Sequence, residues 1–301
     1  MNYRLTHVVA AVVVASLAFS ADAQNYPTRP VRMIAPFAPG GGTDISARIL
    51  AEGMTRVLGQ TVVVDNRPGA GSTLGTDLAA KASPDGYTLL LGNISMAFNA
   101  ALYRKLPYDT MSDFAPISLV SDQPNMLVAH PALAAKSLDE FVALARSQPG
   151  KLTYGSAGNG SGTHLAMELL LMSQRMDLVH VPFKGTGPAL SALLGNQISV
   201  FFSTYASALP HVKSDRLRAY AVTSAKRSAT LPDVPTVAAG GVPGYEYSTW
   251  YGLLAPAGVP KPIVARLSQA TMAVLKMPDV RKRYLSQGMD PVPNTPDEFS
   301  K

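Results

Sequence analysis

Cysteine is absent from this 301-residue sequence, and charged and aromatic side chains are scarce. Without cysteine the chain can form no disulfide, thiolate nucleophile, cysteine-ligated zinc site or lipidated N-terminal cysteine. Charged residues make up 15% of the chain and apolar residues 47%, which suits the core of one large or two medium domains and argues against disorder. The formal charge of +6 is scattered, without basic runs interleaved with aromatics, so it excludes nucleic acid and indicates weak attraction of anions.

Several motifs of enzymes and nucleotide-binding proteins are also missing. The sequence contains no GxSxG, HExxH or GxGxxG, and no GxxxxG followed by Lys and Ser or Thr. The histidines beyond the N-terminal segment show no metal-ligand spacing; they are His130, His164, His180 and His211. We therefore predict a protein that is not an enzyme and that uses no metal or cofactor.

The first 23 residues have the pattern of a secretory signal peptide. Arg4 supplies the positive charge, Val8–Phe19 is apolar, and Ala-Asp-Ala at residues 21–23 is a small-x-small cleavage site. A membrane anchor is the alternative, but the apolar run is short of the roughly 20 residues that span a bilayer. We expect cleavage after Ala23, a mature chain that begins at Gln24, and a soluble protein in the periplasm.

A glycine-rich loop at residues 36–44 is the strongest positive feature of the sequence. The apolar run Val31–Ala35 predicts a strand before it, and a helix is predicted from Thr43 to Leu58, with Thr43 and Asp44 as capping residues. Three glycines leave the backbone N–H groups of this loop unshielded. Because a helix N-terminus carries partial positive charge, a carboxylate could be held here without a lysine.

A second loop, residues 153–164, repeats this arrangement of strand, glycines and helix start. Residues 42–45 (Gly-Thr-Asp-Ile) align with residues 162–165 (Gly-Thr-His-Leu). We expect the two loops to face each other across a cleft. The alternative that each loop is only a tight turn stays open for either one alone.

Strands that alternate with helices predict an α/β fold with a parallel sheet. Apolar strands at 116–120 and 126–129 flank a polar stretch, 121–124, which we interpret as a crossover between two domains; a second crossover is expected where the chain becomes rich in Pro, Gly and Ser. The predicted boundaries are signal peptide 1–23, first part of domain 1 24–121, domain 2 122–222, crossover linker 223–244, and second part of domain 1 245–301.

Four side chains near the loops are candidates with two interpretations each. His164 either donates to a bound anion or is an ordinary polar residue at a helix start. Asp44 caps its helix or accepts from ligand-bound water or an amine, because it cannot pair with an anion. Phe37 and Phe183 belong to a residue type that is more often found in the core than in a ligand site, but their place in polar turns at strand ends strengthens the case for contact with a ligand.

These motifs together resemble the Bug family of periplasmic solute receptors, the binding components of tripartite tricarboxylate transporters. The matching segments, in chain order from Tyr26 to the end, are 26–30 (Tyr-Pro-Thr-Arg-Pro), 36–44, 66–71 (Asn-Arg-Pro-Gly-Ala-Gly), 85–87 (Asp-Gly-Tyr), 154–161, 180–185 (His-Val-Pro-Phe-Lys-Gly) and 250–253 (Trp-Tyr-Gly-Leu). The resemblance implies a two-domain periplasmic binding protein of type II-like, Venus-flytrap architecture, with the ligand cleft between domains and two crossover segments. It also implies carboxylate binding through the two loops, often through bridging water.

Carried onto this chain, the resemblance gives a set of candidate ligand-binding residues. They are Phe37, Ala38, Gly41, Gly42, Thr43, Asp44, Asn93, Ser95, Ser156, Asn159, Gly160, Ser161, Thr163, His164, Phe183, Lys184, Gly185 and Ser203. The family commonly has a bulkier residue where Gly42 stands, so we expect a roomier first loop here. We also expect the family's closing C-terminal helix to lie beyond Lys301.

The predicted function is a monomeric periplasmic receptor for a small mono- or dicarboxylate, with a phthalate-type aromatic diacid among the candidates. It would deliver the ligand to the integral-membrane subunits of a tripartite tricarboxylate-type transporter. The alternative is an exported α/β enzyme that acts on carboxylates. A ligand-sensing regulator is disfavoured, because the chain starts with a signal peptide rather than a DNA-binding module.

Overall fold

The computed structural model describes residues 26–301. The strands are β1 (Val31–Ala35), β2 (Val62–Asn66), β3 (Thr88–Asn93), β4 (Phe114–Ala129), β5 (Thr153–Ser156), β6 (Val179–Pro182), β7 (Val200–Thr204), β8 (Arg218–Val222), β9 (Ser248–Pro256) and β10 (Asp290–Pro291). The helices are α1 (Gly42–Leu58), α2 (Thr73–Ala80), α3 (Ser95–Leu102), α4 (Leu138–Ser147), α5 (Gly162–Gln174), α6 (Thr186–Leu194), α7 (Tyr205–Lys213), α8 (Lys261–Lys276), α9 (Pro278–Ser286) and α10 (Pro296–Phe299).

The strands form one mixed sheet in the order β2-β1-β3-β9-β4-β7-β5-β6, and β8 and β10 also pair with β4. The first three strands are parallel to one another, as are β5, β6 and β7, while β9 and β4 run antiparallel to their neighbours. The sheet therefore has two parallel ends, joined by a central antiparallel pair. Among the parallel strands, β1 coincides with the strand predicted from the apolar run Val31–Ala35.

The two ends of the sheet carry separate hydrophobic cores, and we call them the first and second lobes. The core of the first lobe surrounds β1, β2 and β3 and includes helices α1, α8 and α9. The cores of the second lobe surround β5, β7 and β8 with helices α4 to α7. In the first lobe, α1 approaches α8 closely at Gly53, where a Cβ atom would lie 2.3 Å from Val274.

Strand β4 passes from one lobe to the other. Its residues 114–124 pair with β9, and its residues 125–129 pair with β7. The structure therefore has one continuous strand where the apolar runs predict two, 116–120 and 126–129. The polar residues 121–124 remain extended because they pair with β9.

The segment 223–247 packs against the second lobe. Val237, Val242 and Tyr245 belong to its core, and the Tyr247 N–H donates to the Thr223 carbonyl at 2.9 Å. The chain then continues as β9, between the lobes. The numerical domain boundaries given above stay a prediction. Within residues 26–301, no helix is both long and apolar enough to cross a membrane.

The helix start after the first loop differs from the prediction. The N-cap of α1 is Gly41, and no side chain caps it, so Thr43 and Asp44 are not the capping residues. Both lie inside the first turn of the helix instead. At the second loop, by contrast, Ser161 is the N-cap of α5, and its side chain accepts from the His164 N–H.

Candidate functional site

A small cavity lies between the lobes, where the two glycine loops face each other. We call it the cleft cavity. Its lining residues are Phe37, Gly41, Gly42, Thr43, Asn93, Ile94, Ser95, Ala157, Ser161, Gly162, Thr163, Thr186, Thr204, Thr249 and Tyr251. Helices α1 and α5 both begin at this cavity, and strand β9 forms part of its wall.

The first N–H group of each helix is bonded across the cleft. Gly42 N–H in α1 donates to Thr204 Oγ1 of the second lobe, and Gly162 N–H in α5 donates to Ser95 Oγ of the first lobe, both at 3.2 Å. The first four N–H groups of a helix have no partner within the helix. These two reciprocal bonds therefore satisfy one such donor at each side and hold the lobes together.

The second N–H group of each helix is available. Among the described residues, neither Thr43 N–H nor Thr163 N–H has a hydrogen-bond acceptor, and both residues line the cleft cavity. Thr43 and Thr163 are also aligned positions of the two loops. Each of the two helix N-termini thus presents an unpaired backbone donor at the cavity, where partial positive charge favours an anion.

The other polar groups of the cleft cavity are neutral. Its described lining includes threonine, serine, asparagine and tyrosine side chains but no charged one. Asn93 Nδ2 donates to Thr43 Oγ1 at 3.1 Å, and Asn93 Oδ1 accepts from the Ser95 N–H at 2.9 Å. An anion in this cavity would therefore be held by dipoles and hydrogen bonds rather than by an ion pair.

The cleft is closed in this structure. The space open to the centre of a water molecule is about 20 Å³, whereas one water needs roughly 10 to 15 Å³ by the same measure. The lobes also touch at the rim, where Ala38 N–H donates to the Lys184 carbonyl at 3.1 Å and the Ser207 hydroxyl donates to the Gly40 carbonyl at 2.9 Å. A ligand of several carbon atoms can enter only when the lobes separate.

Eight of the eighteen predicted site residues line the cleft cavity. They are Phe37, Gly41, Gly42, Thr43, Asn93, Ser95, Ser161 and Thr163. The other ten lie outside its lining; they are Ala38, Asp44, Ser156, Asn159, Gly160, His164, Phe183, Lys184, Gly185 and Ser203. Their role in ligand binding stays a prediction. Most of them make contacts within the protein instead.

Asp44 and the rim residues make contacts within the protein. Asp44 accepts from the Gly40 N–H at 3.1 Å and forms an ion pair with Arg48 at 2.9 Å, so it steadies the first loop. Lys184 is exposed, and its backbone contacts Ala38 rather than the cavity. Phe183 is half-buried against the core of the second lobe.

His164 belongs to a stack of rings behind the second loop. Its ring lies 4.2 Å from that of His180, which in turn lies 4.7 Å from that of Tyr154. His164 Nδ1 accepts from the Gly160 N–H at 3.3 Å, and His180 Nε2 lies 2.6 Å from Ser156 Oγ. His164 is therefore an acceptor that fixes the loop, not a donor that lines the cavity.

The environment of this stack favours neutral imidazoles. Burial, with the nearby His164, lowers the pKa of His180 to about 4, and Glu168 opposes the shift. Burial also lowers the pKa of His164, again opposed by Glu168. A neutral His164 is what the bond from Gly160 requires, since a protonated Nδ1 cannot accept.

The expectation of a roomier first loop at Gly42 is wrong. A Cβ atom at this position would lie 2.2 Å from Tyr251 Oη and 2.3 Å from Gln123 Nε2. Two buried side chains of the central strands β9 and β4 already occupy that space. Glycine at position 42 therefore leaves room for them.

Sequence reasoning missed seven lining residues: Ile94, Ala157, Gly162, Thr186, Thr204, Thr249 and Tyr251. Ala157 and Gly162 lie inside the predicted second loop, and Ile94 lies between two predicted residues. Thr204 is the last residue of β7, and Thr186 begins the helix that follows β6, so position near a strand end is a signal that could have found them. Tyr251 lies within a strand and carries no comparable signal.

Two lobes on one mixed sheet, two crossings at the centre and a polar cavity between facing helix N-termini define an α/β periplasmic binding protein. Residues 46–301 match the sequence model of a family described as "Tripartite tricarboxylate transporter family receptor". BugT of Bordetella pertussis is 39% identical over 289 residues, which cover 95% of this chain and 89% of BugT. The chain therefore belongs to the tripartite tricarboxylate transporter receptor family, and the resemblance to Bug proteins is confirmed.

Solved structures give the same fold. An R. palustris protein with adipate is 33% identical, with a TM-score of 0.88 over 91% of this chain and 92% of that one. MatC from Rhodopseudomonas palustris with bound malate is 37% identical, with a TM-score of 0.85 over 88% of this chain and 90% of that one. The predicted α/β periplasmic binding protein fold is confirmed.

Proposed function

We propose that this protein is a periplasmic receptor that binds a small dicarboxylate between its lobes and delivers it to the membrane subunits of its transporter. The observation that carries the proposal is the pair of unpaired donors, Thr43 N–H and Thr163 N–H, at two helix N-termini on opposite sides of one cavity. One carboxylate at each donor would bridge the lobes. Similar proteins with adipate and with malate support a ligand that has an acid group at each end.

The neutral lining suits a receptor that must release its ligand. Hydrogen bonds to charged groups contribute roughly 1.5 to 3 kcal/mol each, so several neutral donors can give useful affinity. An arginine in the cavity would add a strong bidentate contact and slow release. The formal charge of +6 adds a weak, long-range attraction of anions.

Opening of the cleft is part of the proposed cycle. The closed cavity has room for about one or two waters, so a diacid enters an open form and the lobes then close around it. Binding favours the closed form by its differential affinity for the two states. Small-angle scattering with and without malate or adipate measures this, and an unchanged radius of gyration at saturation would contradict the closure.

A thermal-shift screen tests the function itself. We expect malate, adipate, phthalate or a related diacid to raise the melting temperature in a concentration-dependent way, because a ligand that binds only the folded state stabilises it by mass action. Monocarboxylates of similar length should raise it less. If no carboxylate in the set shifts the melting temperature, the proposed function is wrong.

One contact in the structure resembles a nucleophile–base pair and so bears on the enzyme alternative: Ser156 Oγ lies 2.6 Å from His180 Nε2. Ser156 is fully buried outside the lining of the cleft cavity, and its hydroxyl accepts from the Gly158 N–H at 3.1 Å. A nucleophile needs access to the substrate and a base that takes its proton. The pair therefore supports the loop and does not favour catalysis.

We also infer that the chain is exported and cleaved after Ala23. The motivation is the sequence pattern of residues 1–23, which lie outside the described residues. Mass spectrometry of the protein from the periplasmic fraction should give a mature N-terminus at Gln24. Protein that begins at Met1 and remains in the membrane fraction would contradict this.

A further inference from the structure

Tyr251 lies on β9, at the centre of the sheet, and is fully buried. Tyr251 nevertheless lines the cleft cavity, and its hydroxyl lies beside Gly42, another lining residue. A buried tyrosine hydroxyl normally has a hydrogen-bond partner for its proton, because an unsatisfied buried donor is costly.

A relay of hydrogen bonds fixes the direction of the hydroxyl. Ala206 N–H donates to Gln123 Oε1 at 3.2 Å, which assigns the amide oxygen of Gln123 to that side. Gln123 Nε2 then faces Tyr251 and donates to its Oη at 2.5 Å. Gln123 has no solvent exposure, so its orientation is fixed by these two bonds.

This relay leaves the proton of the tyrosine hydroxyl free to donate to a ligand. A hydroxyl can donate one proton and can also accept. The Tyr251 oxygen accepts from Gln123, so its own proton is not used in that bond. Among residues 26–301 no acceptor for the Tyr251 proton is found. Burial raises the pKa of Tyr251 above its usual value, so the proton stays on the oxygen at any pH the protein meets.

The hydroxyl also lies against the start of α1. A Cβ atom on Gly42 would be only 2.2 Å from Tyr251 Oη, so the hydroxyl approaches the helix backbone as closely as glycine allows. The unpaired Thr43 N–H belongs to the next residue of the same helix turn. Two donors, one from the backbone and one from a side chain, thus belong to neighbouring positions at the first-lobe end of the cavity.

We propose that Tyr251 is a specificity-determining residue, which donates its hydroxyl proton to the ligand carboxylate at the N-terminus of α1 and is held in that orientation by Gln123 as a positioning residue. The inference rests on the proposed function and names the recognition at one end of the ligand. The ligand group at this end must offer oxygen atoms that accept from both the Tyr251 hydroxyl and the Thr43 N–H. An ionised carboxylate fits, whereas an ammonium group or the nitrogen of an amide does not.

Calorimetry with malate and adipate tests the assignment. Tyr251→Phe keeps the ring and removes the donor, so we expect the dissociation constant for the diacid that binds to rise about tenfold to a hundredfold, the range for one hydrogen bond to a charged group. Tyr220→Phe is a matched control, because that buried hydroxyl donates to the Ala135 carbonyl, away from the cavity. It should change the dissociation constant less than about twofold.

Equal affinity of Tyr251→Phe and the wild type would overturn the assignment and leave the proposed function intact. Failure of the wild-type protein to bind any diacid would overturn both. Gln123→Met should weaken binding in the same direction, because it frees the hydroxyl to rotate. An affinity loss in Tyr220→Phe equal to that in Tyr251→Phe would show a general effect of tyrosine removal and also overturn the assignment.

A measurement on the wild-type protein decides the question if the variants do not fold. The chain has a single tryptophan, Trp250, so a carbonyl-labelled tryptophan identifies the Tyr251 amide by its unique neighbour in nuclear magnetic resonance spectra. Tyrosine labelled throughout with carbon-13 and nitrogen-15 then carries this assignment from the amide to the ring. The ring Cζ of Tyr251 should shift when malate or adipate is added, because its hydroxyl gains an acceptor. An unchanged Cζ shift at saturation would overturn the proposal.

Discussion

Acidification should destabilise the stack of rings that supports the second loop. His180 has a pKa of about 4 in the folded protein, against 6.5 without neighbours. Between these two values the unfolded chain binds a proton that the folded chain does not, so stability falls as the pH falls. The effect is absent above about pH 6.5, where both forms are neutral, and is complete below about pH 4.

The magnitude follows from the size of the shift. A displacement from 6.5 to about 4 corresponds to roughly 3 kcal/mol of unfolding free energy. The His180 ring is partly exposed, so solvent screening reduces this to about 1 to 2 kcal/mol. His164 adds to the loss, since burial lowers its pKa as well.

Urea unfolding at about pH 7 and at about pH 4.5 measures how much the unfolding free energy falls on acidification. In His180→Gln the loss of stability on acidification should be smaller than in the wild type by about 1 to 2 kcal/mol, because glutamine does not titrate. Ser156→Ala is the matched control. It removes the contact of 2.6 Å at His180 but keeps the titrating ring, so it should be less stable at both pH values with the pH dependence retained. Identical pH dependence in the wild type and His180→Gln would refute the reasoning.

Two further variants test the second loop. Gly162→Ala should lower the unfolding free energy by about 1 to 3 kcal/mol, because the added Cβ would lie 2.1 Å from Tyr247 Oη. The control Gly195→Ala should change the unfolding free energy little, because its Cβ would lie 3.5 Å from the nearest atom. Equal melting temperatures for the two variants would contradict the close contact at Gly162. Ser161→Ala should weaken diacid binding about tenfold, as measured by calorimetry, because Ser161 lines the cavity. It should also lower the unfolding free energy by about 1 kcal/mol, as measured by urea unfolding, because the N-cap of the helix is lost. Unchanged binding would exclude the Ser161 hydroxyl from the site.

The glycine loops could be predicted because their signal is local. Residues 36–44 and 153–164 each combine a buried strand, glycines and a helix start, and the structure brings the two loops to one cavity. The predicted extent of the first helix, Thr43 to Leu58, agrees closely with α1. Helix α7 carries a weaker sequence signal because Pro210 lies inside it.

The direction of individual side chains could not be predicted. Asp44 and His164 occupy aligned positions, yet each turns to its own loop, because Arg48 and the ring of His180 lie on that side. Tyr251 lies in an apolar strand, and its hydroxyl accepts from Gln123, which is far away in sequence and lies on the neighbouring strand β4 opposite Thr249. Such contacts depend on sheet order, which one sequence does not specify.

The central claim is that two acid groups are bound at once, one at each helix N-terminus. Calorimetry with adipate and with its monomethyl ester tests it most directly, with malate and its monoesters as a second pair. The account predicts stoichiometric binding of the diacid and a dissociation constant about tenfold to a hundredfold higher for the monoester, since one set of buried donors then lacks a charged acceptor. Equal affinity for acid and monoester would contradict the claim and restrict recognition to one loop.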